Sequence, residues 1–272
     1  MLAPRSLKSV IKRSLFAVAP QTATALISAR ARAHSHRLLK EWGIFEIDQR
    51  LIKELGCRVL SGPFRGLQLT PMAWEEHIGP HLLGTYETEL HPWWEEVFAK
   101  PFDTIIDVGA NFGYYAVGLA LQFPRAAAIA FDTDWWARDA VQEMASANGA
   151  RNLSVNGHCS PAWLKENLKG KTFIISDCEG YEGELLCTLA IPAMASATLL
   201  IELHEDLVPG VTSRIESRFA ETHVASKVRS RPISALPHEV RISSLNEEEI
   251  QRASNEIRPP QEWIFLSPRH IG

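Results

Sequence analysis

Thr104-Ile105-Ile106-Asp107-Val108-Gly109-Ala110-Asn111-Phe112-Gly113-Tyr114 is the stretch on which the fold turns. Thr104–Val108 is short and mostly apolar, as a buried strand is, and the glycine-rich turn after it leads into the helical pattern of Tyr114–Gln122. The same alternation then repeats downstream. Strands are expected at Ala127–Phe131, Leu153–Asn156, Thr172–Ser176 and Ala197–Leu203. The helices between and after them fall at Trp136–Asn148, near Ala162–Leu168, near Glu182–Ala190 and near Thr212–Ala220. Short apolar strands separated by helices suit a parallel sheet covered on both faces. His223–Val228 and Glu262–Leu266 add two later strands. Between them Ser244 and Glu247 read as a capping box opening a helix that runs to about Asn255. The expected fold is α/β, a Rossmann-like, doubly wound, mostly parallel seven-stranded sheet.

Upstream the pattern differs. Arg58–Leu60 and Leu67–Leu69 flank Gly62-Pro63-Phe64-Arg65-Gly66 and read as a hairpin. Residues 74–99 read as helices rich in Trp and Glu, broken at Gly79-Pro80 and at Gly84. Residues 1–40 hold eight basic residues and no acid. Within them Leu7, Ile11, Leu15 and Val18 recur at helical spacing, and Pro20 is expected to end that run. Such a leader suits peripheral contact with an anionic membrane, or a helix packed on the body; an organelle transit peptide has the same character. The expected organisation is therefore a basic leader over 1–40 and one domain over 41–272. In that domain residues 41–100 supply helices and the hairpin, and 101–272 supply the core.

The loop after the first strand carries the first chemical signal. Gly109-x-Asn111-x-Gly113 lets backbone approach a ligand closely, and the helix behind it presents free N–H groups. The spacing departs from Gly-x-Gly-x-x-Gly, because Asn stands at the second glycine position and the third glycine comes one residue early. Asp107 sharpens the reading. An acid beside a pyrophosphate would repel it, whereas an acid suits the cationic methionine end of S-adenosylmethionine. Asp132, 25 residues after Asp107, ends the second strand where a ribose-binding acid belongs. Asp134 or Asp132 could instead cap the next helix; the reading places Asp132 on the ribose.

More acids end the fourth and fifth strands. Asp177 and Glu179 leave strand four, and Glu202 and His204 close strand five, all on the side where open α/β sheets bind ligands. Asp177 or Glu179 could orient an amino group or a substrate hydroxyl, and Glu182 could begin a helix. His204 could be a general base or a hydrogen-bonded strand-end histidine. Asp177, Glu202 and His204 could also hold a hard divalent cation, but spacing alone does not fix their geometry, and no metal is assigned. Among the eight tryptophans, Trp74 is the candidate substrate wall; one member of each pair, Trp93-Trp94 and Trp135-Trp136, is expected in the core.

Asp107–Gly113, Phe131-Asp132, Asp177-Cys178-Glu179-Gly180-Tyr181-Glu182 and Ile201-Glu202-Leu203-His204 together resemble the FkbM-type methyltransferases. Gly84-Thr85-Tyr86-Glu87-Thr88-Glu89-Leu90 is similar to the segment preceding the first strand in that family. The resemblance covers roughly residues 57–205. It implies a class I methyltransferase fold, S-adenosylmethionine as cofactor, and methylation of a hydroxyl oxygen on a sugar, glycan or related small molecule. It puts Tyr86, Glu87, Asp107, Gly109, Asn111, Gly113, Asp132 and Asp177 at the cofactor, and Asp177, Glu179 and His204 around the acceptor. Two departures stand out: Gly157-His158-Cys159-Ser160 lacks the acid that often meets adenine, and the basic leader has no counterpart in the family. A nicotinamide oxidoreductase, or a non-catalytic scaffold of the same fold, are the rival readings.

Composition narrows the partners. Beyond residue 40 the chain carries 20 basic against 32 acidic residues, which does not suit a nucleic-acid backbone. No apolar run approaches the ~18 residues of a membrane span. Cys57, Cys159, Cys178 and Cys187 form no CxxC pair, which fits reduced thiols in a cytoplasmic protein.

Overall fold

A computed structural model describes residues 20–269. Thr104–Val108 (β1), Ala127–Phe131 (β2), Leu153–Asn156 (β3), Thr172–Ser176 (β4), Thr198–Glu202 (β5), His223–Arg229 (β6) and Glu262–Pro268 (β7) form one sheet in the order β3-β2-β1-β4-β5-β7-β6. The first five are parallel; β7 runs antiparallel to both β5 and β6. This is the mostly parallel seven-stranded layout expected. Burial explains which strands lie where. β4 and β5 are buried at every position, as strands covered on both faces must be, whereas the edge strands β3 and β6 expose alternate or successive residues. One apolar cluster fills each face, with Phe173, Trp94 and Phe265 on one side and Ile174, Phe219 and Ile264 on the other.

The chain reverses its direction of travel across the sheet between β1 and β4. β1 pairs with β2 on one side and β4 on the other, so their carboxyl ends open a crevice at a topological switch point. Every acid singled out above at a strand end faces this side of the sheet.

The N-terminal region differs from its reading in instructive ways. The described residues begin with the helix Pro20–Glu41, so whether Pro20 ends an earlier run lies outside them. The Leu7–Val18 pattern lies outside the described residues. From residue 32 onward the basic leader is packed on the body: Leu39 is buried, and Arg32 pairs with Asp134 and covers the Trp136 ring at 4.6 Å. The helix Ile44–Leu55 then buries Ile44, Ile47, Asp48 and Leu51, spaced as one helical stripe. The hairpin shrinks to a single bridge, Arg58 to Gln68, because the turn between its arms consumes most of their pairing length. Gly79-Pro80 opens the short helix Gly79–Leu83 rather than breaking one, and Gly84, at φ 74°, ends it. The capping box is Asn246 with Glu249, two residues beyond the expected Ser244 and Glu247; both reciprocal bonds are present and the helix is Glu247–Ser254. Among the described residues no helix is long and apolar enough to cross a membrane.

Candidate functional site

Two connected lobes open at the carboxyl ends of β1 and β4. The first, about 320 Å3, is bounded by Leu38, His81, Tyr86, Asp107, Tyr115 and Arg258. The second, about 510 Å3, is bounded by Asp132, Asp134, Trp136, His158, Cys159 and Tyr181. Glu76, Gly109, Asn111, Asp177 and Glu179 line both, so they form the wall between them.

Gly109 has φ 92°, and a Cβ there would stand 1.6 Å from the Asp177 carbonyl oxygen. Its glycine is therefore demanded first by the chain itself: β1 and β4 run on side by side past their strand ends. This alters the sequence reading, which attributed the missing side chain to ligand approach. Asn111 sits at φ 46°, and its N–H is caught by Asp132 Oδ2 at 3.0 Å. Gly113, at φ 93°, turns the chain into the helix Tyr114–Gln122. Glu87, Asn111 and Glu179 are the three non-glycine residues of positive φ among those described, and all three lie at or beside this cleft. Strained backbone of this kind persists where the surroundings over-determine it, as at binding sites.

Asp107 is 4 % exposed and its Oδ2 has no hydrogen-bond partner. Burial, then the charges of Asp177 and Asp132, push its pKa up to about 8. Asp132 and Asp134 divide their labour. Asp134 caps the helix Trp135–Asn148, accepting from the Trp136 N–H at 3.1 Å. Asp132 accepts from Asn111 and, at 2.8 Å, from the Asp134 N–H. Burial raises its pKa to about 6, against the pull of the Asn111 bond and Arg138.

Tyr86 lines the first lobe, stacked on His81 with ring centroids 3.9 Å apart. Burial drops the His81 pKa to about 3, so this ring is a neutral wall. Glu87 stands behind the lobe with its side chain fully enclosed, bonded to Arg258 and to the Tyr115 hydroxyl. Burial raises its pKa despite Arg258. It positions two residues that do line the cleft.

His204 is 4 % exposed and lines neither lobe. Its Nδ1 meets Glu182 Oε1 at 2.8 Å; its Nε2 lies 3.5 Å from Asp177 Oδ1 and 3.6 Å from Glu179 Oε2. Burial would lower its pKa, but the Glu182 bond and then the charges of Glu182, Asp177 and Glu179 outweigh it and raise it. Glu182 is more than a helix opener. Its Oε1 also accepts from the Cys178 and Gly180 N–H groups at 3.1 and 3.3 Å, pinning the loop after β4. Burial opposes its charge, yet the His204 bond and charge, with backbone amides including that of Cys178, hold it below the usual carboxylate range.

Several residues of the cleft escaped the sequence reading. Arg258 pairs with Glu87, Glu202 and Glu256 from a loop before β7; no strand-end rule points there. Ser35, Leu38 and Trp42 reach the first lobe from the N-terminal helix and the turn that follows it. Trp42 takes the wall position expected of Trp74, which lines neither lobe. Trp94 and Trp136 are the buried members of their pairs.

No protein-family profile and no curated protein matches the chain. Solved structures with a similar chain path include a precorrin-6y C5,15-methyltransferase from Geobacter metallireducens, at 13 % identity over 63 % of this chain and 88 % of that one, TM-score 0.42. Another is an O-methyltransferase of tomaymycin synthesis from Streptomyces achromogenes in complex with SAM, at 11 % identity over 64 % and 77 %, TM-score 0.43. A third is a SAM-dependent O-methyltransferase from Thermotoga maritima, at 10 % identity over 69 % and 67 %, TM-score 0.44. A likeness this distant is one of chain path alone.

Proposed function

We propose that this protein is an S-adenosylmethionine-dependent O-methyltransferase of FkbM type, acting on a hydroxyl of a sugar, glycan or related small molecule. The observation that carries the cofactor is Asp107. A carboxyl buried at the switch point with an unpartnered oxygen is a site made for a cation, and the methionine end of S-adenosylmethionine is cationic. The same acid would repel the pyrophosphate of a nicotinamide cofactor. The sugar acceptor rests on the sequence resemblance.

Asp107 and Asp177 would hold the methionine end, Asp132 the ribose hydroxyls, and the lobe between His158 and Tyr181 the adenine. When bound, S-adenosylmethionine supplies an electrophilic methyl carbon; the acceptor oxygen bonds to it as the carbon–sulfur bond breaks and its electron pair stays on sulfur. The protein aligns the acceptor and removes its proton. Asp177 lines both lobes, which supports its carboxylate as the acceptor of that proton, with Glu179 at the mouth holding the acceptor hydroxyl. His204 acts through these acids, because it reaches neither lobe directly.

Calorimetry with S-adenosylmethionine and with NAD tests the reading. We expect stoichiometric binding of the first, with undetectable heat from the second. Tight NAD binding, or no binding of S-adenosylmethionine by folded protein, would overturn it.

A further inference from the structure

Where β4 and β5 end, three possible ligand atoms converge. Asp177 Oδ1 and Glu179 Oε2 stand 3.5 and 3.6 Å from His204 Nε2, and the three atoms lie within 4.8 Å of one another. These gaps are long for hydrogen bonds. They match donors sharing an ion, since ligands about 2.0–2.3 Å from a cation stand about 3–4 Å apart. His204 is also presented as a metal-binding histidine is. Its Nδ1 bonds to Glu182, whose side chain is fully enclosed and held by two backbone amides, and its Nε2 is left for a ligand.

A second observation points to a missing cation. Glu202 is 1 % exposed and its carboxyl is hydrogen-bonded to that of Asp177, so these two share a proton, while Asp177 Oδ1, on the His204 side, has no partner at hydrogen-bond distance. Arg258, the guanidinium beside them, is already shared among Glu87, Glu202 and Glu256. A buried carboxyl oxygen left without a partner is costly unless a cation lies against it.

We propose that Asp177, Glu179 and His204 bind a divalent transition-metal ion, Mn2+ or Zn2+, with Glu182 as the outer partner that orients His204. One imidazole nitrogen with two carboxylate oxygens is a donor set for these ions; all-oxygen sites are the preference of Mg2+ and Ca2+. An ion held there would be reached from the cleft, because Asp177 and Glu179 line both of its lobes. There an ion would seat the acceptor hydroxyl. That role rests on the methyl-transfer reading; ion binding itself does not.

Full-length protein stripped with chelator should be titrated with Mn2+, following free ion by electron paramagnetic resonance, and with Zn2+ by calorimetry. We expect one ion per chain. Glu179→Gln, at an exposed side chain that folding does not need, should weaken binding at least tenfold, and His204→Ala should abolish it. Glu182→Gln, checked for folding by its melting curve, should weaken binding about 10–100-fold, as loss of an outer partner does. If neither ion binds at millimolar concentration, a charged imidazole neutralises the acids instead and the proposal fails. It fails equally if Glu179→Gln and His204→Ala bind both ions as the parent does. S-adenosylmethionine affinity measured on the same samples separates the two readings: ion binding without cofactor binding overturns methyl transfer and leaves the metal site standing.

Discussion

The two lobes of the cleft are built by different means. The second lobe comes mostly from consecutive motifs, the ends of β1 to β4 with the turns that follow them, and takes only Arg32 and Glu76 from elsewhere. The first is assembled from distant pieces of chain, namely Ser35–Trp42, Glu76–Tyr86 and Glu256–Arg258, brought against the same strand ends. One lobe is held by backbone geometry and local side-chain caps. The other is held by long-range polar contacts, such as Asp48 to His77 and Glu87 to Arg258. A binding surface of the first kind is specified where it stands; one of the second kind exists only after the whole domain has packed.

The shared wall should be the hardest place to change. Gly109→Ala puts a methyl group on backbone, not on a side-chain tip that could swing away, and does so at positive φ. Strain and overlap together should cost about 3–4 kcal/mol of stability and abolish cofactor binding, since both lobes share this wall. Gly157→Ala is the control. Gly157 also lines the second lobe, but an added methyl group there would meet nothing within 4 Å and no positive φ constrains it. Urea unfolding and cofactor titration of the two variants decide the point; equal behaviour would mean that the wall is not held by backbone packing.

This contrast also explains what was legible in the sequence. Strand positions came through within a residue or two, because continuous apolar runs such as Phe173-Ile174-Ile175 have no other comfortable place than a covered sheet. Asp107, Gly109, Asn111 and Asp132 were legible because local turn geometry makes their spacing meaningful. The division of Asp132 from Asp134 was readable from the helix start. Arg258 was not, because nothing near it in sequence is periodic or paired; its partners Glu87 and Glu202 are 171 and 56 residues away. The convergence of Glu179 with His204 depends on a positive φ at a non-glycine residue, which no residue-type pattern signals.

The first lobe offers the next test. His77, which lines it, bonds through Nδ1 to Asp48 at 2.9 Å and through Nε2 to the carbonyls of Arg252 and Asn255 at 3.1 and 3.2 Å. Acceptors at both nitrogens require a proton on each, so the ring is an imidazolium tying three segments together. Burial would lower its pKa; the Asp48 bond, the Asp48 charge and the two carbonyls prevail and raise it. A raised folded pKa contributes stability fully below the unfolded value of about 6.5, and that contribution is lost as pH rises through the folded value. Asp48→Asn should therefore cost about 2 kcal/mol near pH 6, the scale of a charge-assisted bond, and less at high pH. Stability curves against pH should converge on the alkaline side. Parallel curves would show that His77 is neutral and that the first lobe is held by packing instead.

The smallest expected effect lies in the second lobe, where two acids two residues apart do different jobs. Asp134 caps a helix and pairs with Arg32; its removal should cost about 1 kcal/mol of stability, as loss of a cap does. Asp132 is placed for a ligand, and each hydroxyl bond it makes is worth about 0.5–1.5 kcal/mol net. Asp132→Ala should therefore weaken S-adenosylmethionine by about 1–2 kcal/mol, roughly 5–30-fold in Kd. Its own bonds to the Asn111 and Asp134 N–H groups complicate the variant, because losing them also relaxes the loop. Asp132→Asn resolves this, since the side-chain oxygen can keep one amide while the carboxylate charge is gone. If Asp132→Asn binds the cofactor at parental strength and Asp134→Ala does not, the ribose lies against the helix cap, and the second lobe is not specified by its strand end.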